Sequence, residues 1–257
     1  MKIEEITLKN YKTFQEVTIS EIPSLSVFVG ANGTGKTTLF GVLGFLKDCL
    51  TYDVYRALSS RGGFKEVISR NAKHNDCIEI TIKFRLEIAG VNRLVTYHIS
   101  IGEKANRPIV IKESLRYKRG RYGSPYHFLD FHEGEGFAIT NEEDFKTSDE
   151  ELDREYQKVS PEKLAISGLG QFQRFKAAYA FRNMIENWHI SDFHINQARG
   201  SKDSIGVSDH LSVTGDNLQL VARELHENHP EIFEKIISSM KHRVPGVNQI
   251  TTKQTDD

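Results

Sequence analysis

The chain has 257 residues, of which 38% are hydrophobic and 27% charged, and its formal net charge is −1. This composition excludes an intrinsically disordered chain, and the length suffices for one large domain or two small ones. A near-neutral chain is not a strongly basic nucleic-acid-binding protein, although a local basic patch remains compatible with this total.

The sequence also argues against a membrane or secreted protein. No apolar run approaches the roughly 18 residues that a membrane span needs. The first five residues, MKIEE, carry acids where a signal or transit peptide would not. Cys49 and Cys77 lie far apart and form no C-x-x-C pair, which predicts two reduced thiols. We therefore expect a cytoplasmic protein without a membrane partner.

Three short strands are predicted in the first thirty residues, at 3–8, 17–19 and 25–29. The third strand leads directly into GANGTGKTT, residues 30–38. Apolar residues at helical spacing over 39–46 predict that a helix comes next.

This strand–loop–helix context identifies a P-loop of the form G-x-x-x-x-G-K-T. The glycines let consecutive backbone N–H groups turn towards phosphates, and the helix N-terminus adds a favourable dipole. Lys36 is expected to neutralise the β- and γ-phosphates, and the Thr37 hydroxyl to coordinate Mg²⁺. The predicted ligand is a nucleoside triphosphate, ATP with Mg²⁺, and the predicted binding residues are Gly30, Asn32, Gly33, Thr34, Gly35, Lys36, Thr37 and Thr38.

Strict apolar alternation over residues 78–88 predicts a half-solvated antiparallel strand, and runs at 95–99 and 109–117 extend it into a meander. Residues 118–160 read as a polar loop, whose acids, Glu142 among them, are interpreted as solvated. A helix is expected over 171–188. Two more are expected to open at Asp216 and Pro230.

Residues 6–19, ITLKNYKTFQEVTI, with VFVGANGTGKTTL after them, resemble the start of ABC-type ATPase heads of the SMC/RecF group and related bacterial AAA ATPases. Asn10-Tyr11-Lys12-Thr13-Phe14 stands where that group has an NF-K/R-S-F segment, and Asn32 is typical of its loop. The resemblance implies that Lys12 lies close to the nucleotide. A solvated surface lysine is the alternative.

A second stretch, SRGGFKEVIS at residues 60–69, is similar to the RGGxxxDVIF stretch of SMC heads. The resemblance implies that Arg61 couples DNA contact to ATP turnover, and the alternative is a solvated arginine in a turn. It further implies three parts: a P-loop core at 1–70, an antiparallel β-lobe with an acidic loop at 71–160, and a helical region at 161–257 leading towards the signature and Walker B half.

Several motifs of that group are not found in the sequence: the LSGGQ-like signature, the Walker B strand with its catalytic Glu, the D-loop and the switch His. Residues 126–130 end in Asp130, but Phe131 stands where the Glu should be. Residues 211–215, LSVTG, read as a cap before a helix. Gln171, and less so Gln173, is a Q-loop candidate. No catalytic residue is therefore assigned.

Because the Walker B strand pairs beside the P-loop strand in such heads, its absence would leave an apolar strand edge unpaired. Three explanations stay open: a longer chain, a second chain that supplies the missing half, or a rearranged core.

Two further clusters are interpreted as surface features. His226 and His229 have one residue too few between them for a metalloprotease motif. Lys118, Arg119 and Arg121, with Tyr117 and Tyr122, form a basic-aromatic group that reads as a hairpin tip, with nucleic-acid contact as the alternative.

The expected fold is α/β: a P-loop NTPase of the ABC-type head class, with an antiparallel β-lobe and a helical region, incomplete at its C-terminus. The resemblance implies a head that dimerises on ATP, or pairs with a chain carrying the signature half, and couples hydrolysis to DNA or an effector protein. A nucleotide-binding regulatory module without hydrolysis is the alternative, and a DNA-binding protein with a vestigial P-loop is a third reading.

Overall fold

The computed structural model describes residues 2–120, 124–142, 151–188, 210–212 and 215–243. The chain divides into two units, Met1–Trp188 and His189–Asp257. The first unit carries the sheet and the P-loop, and the described part of the second unit consists mainly of two helices.

The described part of the first unit contains eight strands and five helices. The strands are β1 (Lys2–Tyr11), β2 (Phe14–Ile19), β3 (Ile78–Ile88), β4 (Val91–Lys104), β5 (Arg107–Tyr117), β6 (Tyr126–His132), β7 (Glu135–Ile139) and β8 (Arg154–Lys158). The helices are α1 (Lys36–Thr51), α2 (Val54–Ser59), α3 (Phe64–Val67), α4 (Ala165–Leu169) and α5 (Lys176–Glu186).

All eight strands form one sheet in the order β2-β1-β3-β4-β5-β6-β7-β8, and every pairing is antiparallel. The predicted meander is present as β3, β4 and β5, with Ile88 paired to Val91 across a two-residue turn. Ala89 and Gly90 both have positive φ, which is the backbone that such a turn needs. The predicted α/β class with an antiparallel lobe is therefore confirmed. The described residues form no parallel sheet around the P-loop.

One face of the sheet is buried under α1 and α5. The buried residues of α1 recur every three or four positions, which places them on one stripe of the helix; they include Leu39, Val42, Phe45 and Leu46. Phe181 of α5 packs its ring 4.9 Å from that of Phe84 and 4.2 Å from that of Tyr97. These ring contacts hold α5 against the centre of the sheet.

Two buried glutamates connect the sheet to helix N-termini. Glu113 of β5 accepts hydrogen bonds from the backbone N–H groups of Ala165 (2.5 Å) and Ile166 (3.2 Å), at the start of α4. Glu142 accepts one from Ala177 N–H at the start of α5 and another from the Tyr117 hydroxyl (2.8 Å). The first N–H groups of a helix have no partner within the helix, so each glutamate side chain stabilises a helix start by accepting hydrogen bonds from them.

The interpretation of residues 118–160 as a solvated loop was wrong for most of their described part. The segment contains β6, β7 and β8, and Glu142 is buried. The pairing register between β5 and β6 shifts between Leu115 and Arg116 of β5, and this irregularity breaks the apolar alternation of β6. Strand β8 is a polar edge strand. Neither strand therefore shows the regular pattern by which strands are recognised.

The predicted third strand, at residues 25–29, is not formed. Leu25, Val27 and Val29 are 82%, 78% and 88% exposed, and residues 24–29 make no backbone–backbone hydrogen bond within the described ranges. A strand forms only by pairing with a second strand, and no described strand pairs with this segment.

The second unit contains α6 (Leu218–Asn228) and α7 (Pro230–Arg243). Helix α7 begins at Pro230 as predicted, whereas α6 begins at Leu218, two residues after the predicted Asp216. Ser212 bonds to Asp216 and, through its N–H, to Asn217 (2.7 Å). The N-cap of α6 is Asn217, so the described residues 211, 212 and 215 do not show the predicted cap, and residues 213–214 lie outside the described ranges. No described helix has the length and apolar character to span a bilayer.

Candidate nucleotide site

The P-loop lies between the exposed segment 24–29 and helix α1. Gly33 and Gly35 have φ of 83° and 93°, a backbone conformation that glycine adopts without strain. Gly35 is also the N-cap of α1. A Cβ at Gly35 would come within 2.6 Å of the Phe14 ring, so β2 packs directly on the loop and leaves no room for a side chain there.

Lys36 folds over its own loop. Its Nζ donates hydrogen bonds to the carbonyl oxygens of Gly30 and Ala31, both at 2.6 Å, and Thr34 Oγ1 donates to Ala31 O at 3.0 Å. The ammonium therefore lies against the first two carbonyl oxygens of the loop. Thr37 is exposed in the first turn of α1, and Thr38 is half-buried.

The loop and the helix start fit an anionic phosphate chain. Helix α1 is 16 residues long, has no acidic residue in its first turn, and no side chain caps its first N–H groups. Uncapped N–H groups and the positive end of the helix dipole are the features that bind phosphate. Within the described part of the chain no group of three His, Cys, Asp or Glu side chains could hold a metal. A Mg²⁺ ion here would rest on the Thr37 hydroxyl and the phosphates themselves.

Lys12 lies at the turn between β1 and β2. The residues that follow it, Thr13 and Phe14, touch the P-loop at Gly35. Its N–H donates to Val67 O (2.7 Å), and Ser69 N–H donates to Asn10 O (3.0 Å), so the segment after the Arg-Gly-Gly turn is tied to this turn. Thr13 Oγ1 lies 3.3 Å from where a Gly35 Cβ would be. The local packing thus brings the Lys12 turn, the P-loop and residues 67–69 together.

An open cleft of about 740 Å³ lies beside this junction. It is lined mainly by polar side chains, with four cations and one acid among them: Lys12, Arg61, Lys65, Arg70 and Glu66. Lys12 and Arg61, which the sequence singled out separately, therefore share one cleft next to the P-loop. Lys65 and Arg70 were not singled out, because nothing in their spacing indicates that they meet Lys12.

Arg61 is held firmly by the helical layer. Its guanidinium forms an ion pair with Asp48 (2.6 Å), donates to Ala57 O (2.8 Å) and lies over the Phe45 ring (5.4 Å). The side chain is 20% exposed, so the alternative of a freely solvated arginine was wrong. Its contacts fix the Arg-Gly-Gly turn against α1, and its role towards DNA stays a prediction.

Asp130, the acid that the sequence offers as the nearest match to a Walker B residue, does not lie near the P-loop. Asp130 lies on β6, and five strand spacings separate β6 from β2, which touches Gly35. At about 4.8 Å per spacing this is on the order of 20 Å. Gln171 donates to Ser167 O (3.2 Å) just after α4, and its assignment to the Q-loop stays a prediction.

A glycine-rich loop that leads into an uncapped helix and has a lysine folded back on it is the phosphate-binding element of P-loop nucleotide-binding proteins. The model of the AAA ATPase domain family matches residues 1–244. Since this is nearly the whole chain, the protein belongs to the AAA ATPase domain family.

Two curated relatives are DNA replication and repair proteins RecF. The protein from Corynebacterium jeikeium is 28% identical over 138 residues, which is 51% of this chain and 32% of the relative. The protein from Renibacterium salmoninarum is 33% identical over 54 residues, which is 21% of this chain and 14% of the relative. Each match thus spans a third or less of the relative's length. Together with the family match, they confirm the resemblance to the SMC/RecF group.

A solved structure from work titled "Structural biochemistry of ATP-driven dimerization and DNA stimulated activation of SMC ATPases" is also similar to part of the chain. It is 20% identical and aligns over 42% of this chain and 72% of its own, with a TM-score of 0.29. At this TM-score the alignment carries no conclusion about the shared architecture.

Proposed function

We propose that the chain is the ATP-binding portion of an SMC/RecF-like ABC-type ATPase in the cytoplasm. The observation that carries the proposal is Lys36 Nζ, held over a loop whose two glycines have positive φ at the start of α1. The loop N–H groups and Lys36 would hold the β- and γ-phosphates of ATP, and Thr37 would hold Mg²⁺. Magnesium-bound ATP supplies an activated phosphoryl group, while this chain's residues bind and orient it.

The rest of the predicted site has supporting roles in this proposal. Gly30, Asn32, Gly33 and Thr34 form the loop backbone, and Thr38 continues the first turn of α1. Lys12 lies on the turn that packs against Gly35, where an added cation would stabilise the nucleotide. We retain the three-part division at 1–70, 71–160 and 161–257 as a functional description.

A homodimer, or a partner chain that carries the signature half, is part of the same proposal. The exposed apolar side chains of 25–29 and the unpaired backbone beside them offer one edge for an added strand. In the proposed cycle, ATP binding brings two heads together, hydrolysis releases them, and DNA or an effector protein responds to the state.

Residues 1–257 alone are expected to bind Mg-ATP but to hydrolyse it negligibly. Phosphoryl transfer needs an acid to hold Mg²⁺ and a group to position water, and the sequence supplies neither beside the loop. Calorimetry for binding and steady-state phosphate release at saturating ATP test this. A turnover of about 1 s⁻¹ or faster, lost in Lys36→Ala, would contradict the expectation.

The non-hydrolysing regulatory module remains the second candidate, because the described residues near the loop provide binding groups only. The gene sequence beyond Asp257 distinguishes the two candidates. A signature motif and an apolar strand ending in Asp-Glu would favour the ATPase, and a stop codon would favour the module.

Arg61→Ala is expected to abolish stimulation of ATPase activity by DNA, with the signature-bearing half present, while basal phosphate release stays nearly intact. The variant also loses the Asp48 ion pair, which is worth about 1 kcal/mol of stability. Asp48→Asn is therefore the matched control, since it breaks the same pair but keeps the arginine.

The salt dependence of DNA affinity gives a second readout for Arg61. Loss of one phosphate contact should make the slope shallower by about one contact. If the wild type shows no DNA stimulation, or Arg61→Ala keeps it, the residue has only the packing role seen against α1.

A further inference from the structure

The outer face of the sheet consists of the side chains that alternate with the core residues. Cross-strand pairing lines them up from β3 to β8. One such row contains Thr81, His98, Ser114, Asp130, Phe137 and Tyr156. The row begins with polar side chains on β3 and ends with two neighbouring aromatic rings on β7 and β8. The outer face therefore differs in chemistry between the two sides of the sheet.

On the side formed by β1 and β3, the cations of the outer face are neutralised. Lys9 pairs with Glu79 (3.4 Å), Lys83 with Glu5 (2.7 Å), and Arg85 with Glu4 (2.7 Å). Such a ladder of exposed ion pairs leaves little net charge for a charged partner to meet.

On the side formed by β5 to β8, three cations of the outer face form no ion pair with any described carboxylate: Lys112, Arg116 and Arg154. Lys112 and Arg116 flank Ser114 on β5. The acid among them is Asp130, which lies opposite Ser114 and 3.4 Å from His132. Glu135, also on this face, is paired with Lys158 (2.6 Å). Among the described residues, this part of the surface therefore carries more positive than negative charge.

The same side carries two neighbouring aromatic side chains, of which Tyr156 is exposed and Phe137 is half-buried against the core. The rings of Phe137 and Tyr156 lie 5.8 Å apart, and Tyr156 is 70% exposed. The Arg154 guanidinium lies 4.9 Å from the centre of the Phe137 ring and donates to the Tyr126 hydroxyl (2.6 Å).

We propose that these five residues, Lys112, Arg116, Phe137, Arg154 and Tyr156, form a platform that binds a single-stranded polynucleotide. Bases stack on the exposed ring of Tyr156 and on the guanidinium plane of Arg154, which rests on Phe137, and Lys112 and Arg116 contact the phosphates. Base stacking on an aromatic side chain is available only where the bases are not already stacked in a duplex, so a single strand is the occupant that this surface fits. The unneutralised cations supply the electrostatic attraction.

The platform is distant from the nucleotide site. The P-loop packs on Phe14 of β2, at the opposite edge of the sheet from β8. The proposal therefore does not rest on ATP binding, and Lys36→Ala is expected to bind single strands as the wild type does.

Fluorescence anisotropy with labelled oligothymidine and oligouridine strands of about 15 nucleotides tests the proposal, because site sizes of such surfaces lie in this range. Tyr156→Ala should weaken binding about 10-fold, from the lost stacking. Arg116→Ala should weaken binding and make the salt slope shallower by about 0.7. Lys83→Ala, on the neutralised side, is the matched control and should change affinity less than about 2-fold. Comparison of the two strands identifies DNA or RNA as the source.

Three results would overturn the proposal: no binding of either single strand at low salt, duplex binding as tight as single-strand binding and insensitive to Tyr156→Ala, or an equal loss in Lys83→Ala and Arg116→Ala. Circular dichroism of each variant controls for folding. Tyr156→Phe keeps the aromatic ring and should therefore retain affinity, which tests stacking even if Tyr156→Ala proves poorly folded.

Discussion

Replacing Lys36 by alanine is expected to weaken Mg-ATP binding about 100-fold or more. The ammonium lies over the loop at 2.6 Å from two carbonyl oxygens, so it is already placed to meet negatively charged phosphates. Hydrogen bonds to charged groups are worth about 1.5–3 kcal/mol, and about 2.7 kcal/mol corresponds to 100-fold. Titration calorimetry with Mg-ATP measures the effect.

The substitution should leave the fold intact, because the described bonds of the Lys36 side chain go only to its own loop. Lys158→Ala is a matched control: it removes a lysine whose partner, Glu135, lies at the far side of the sheet. Unchanged affinity in Lys36→Ala, with an unchanged circular dichroism spectrum, would remove the basis of the proposed function.

The second large effect concerns Glu113 and the dependence of stability on pH. Burial raises the pKa of this carboxyl from 4.5 to about 7, and its hydrogen bonds from Tyr97, Ala165 and Ile166 only partly offset the cost of burial. The folded state therefore holds a proton on Glu113 between about pH 4.5 and 7, where the unfolded chain has released it. Stability should accordingly fall as pH rises through this window and level off above it.

The expected size is on the order of 3 kcal/mol, since each pKa unit is worth about 1.4 kcal/mol. Urea unfolding at pH 5 and pH 8 measures the fall, and Glu113→Gln should remove it. His98 and His127 have pKa values lowered by burial, so they make stability rise with pH over their own range. The difference between wild type and Glu113→Gln isolates the glutamate. An equal fall in both would assign it to other groups.

The P-loop and the meander were predictable because each rests on a local pattern. The loop is indicated by glycine and lysine spacing, and β3 by alternation that continues for eleven residues. The buried carboxylates were not predictable. Glu142 lies in an acidic stretch of sequence, and its partners Tyr117 and Ala177 are 25 and 35 residues away. Neither partner is indicated by spacing.

Arg61 shows the same limit within the candidate site. The sequence offers a coupling residue or a solvated one, yet its ion-pair partner, Asp48, lies thirteen positions earlier on α1 and depends on how α1 meets the Arg-Gly-Gly turn. For the segment 25–29 the prediction from sequence was wrong in the opposite sense, since it gave a strand that did not form. Its composition is that of a strand, but pairing is a property of two segments, and the second is not among the described residues.

The unpaired segment 25–29 also affects the energetics of the adjoining P-loop. Residues 24–29 connect to the P-loop without an intervening element, so ordering one restricts the conformational entropy of the other. A partner strand that fixes 25–29 in advance would preorganise Gly30 and the residues after it, and the nucleotide would then meet a smaller entropic cost. By thermodynamic reciprocity, bound nucleotide would strengthen the strand contact by the same factor. Nucleotide and partner would thus be linked ligands, coupled through a few residues of backbone.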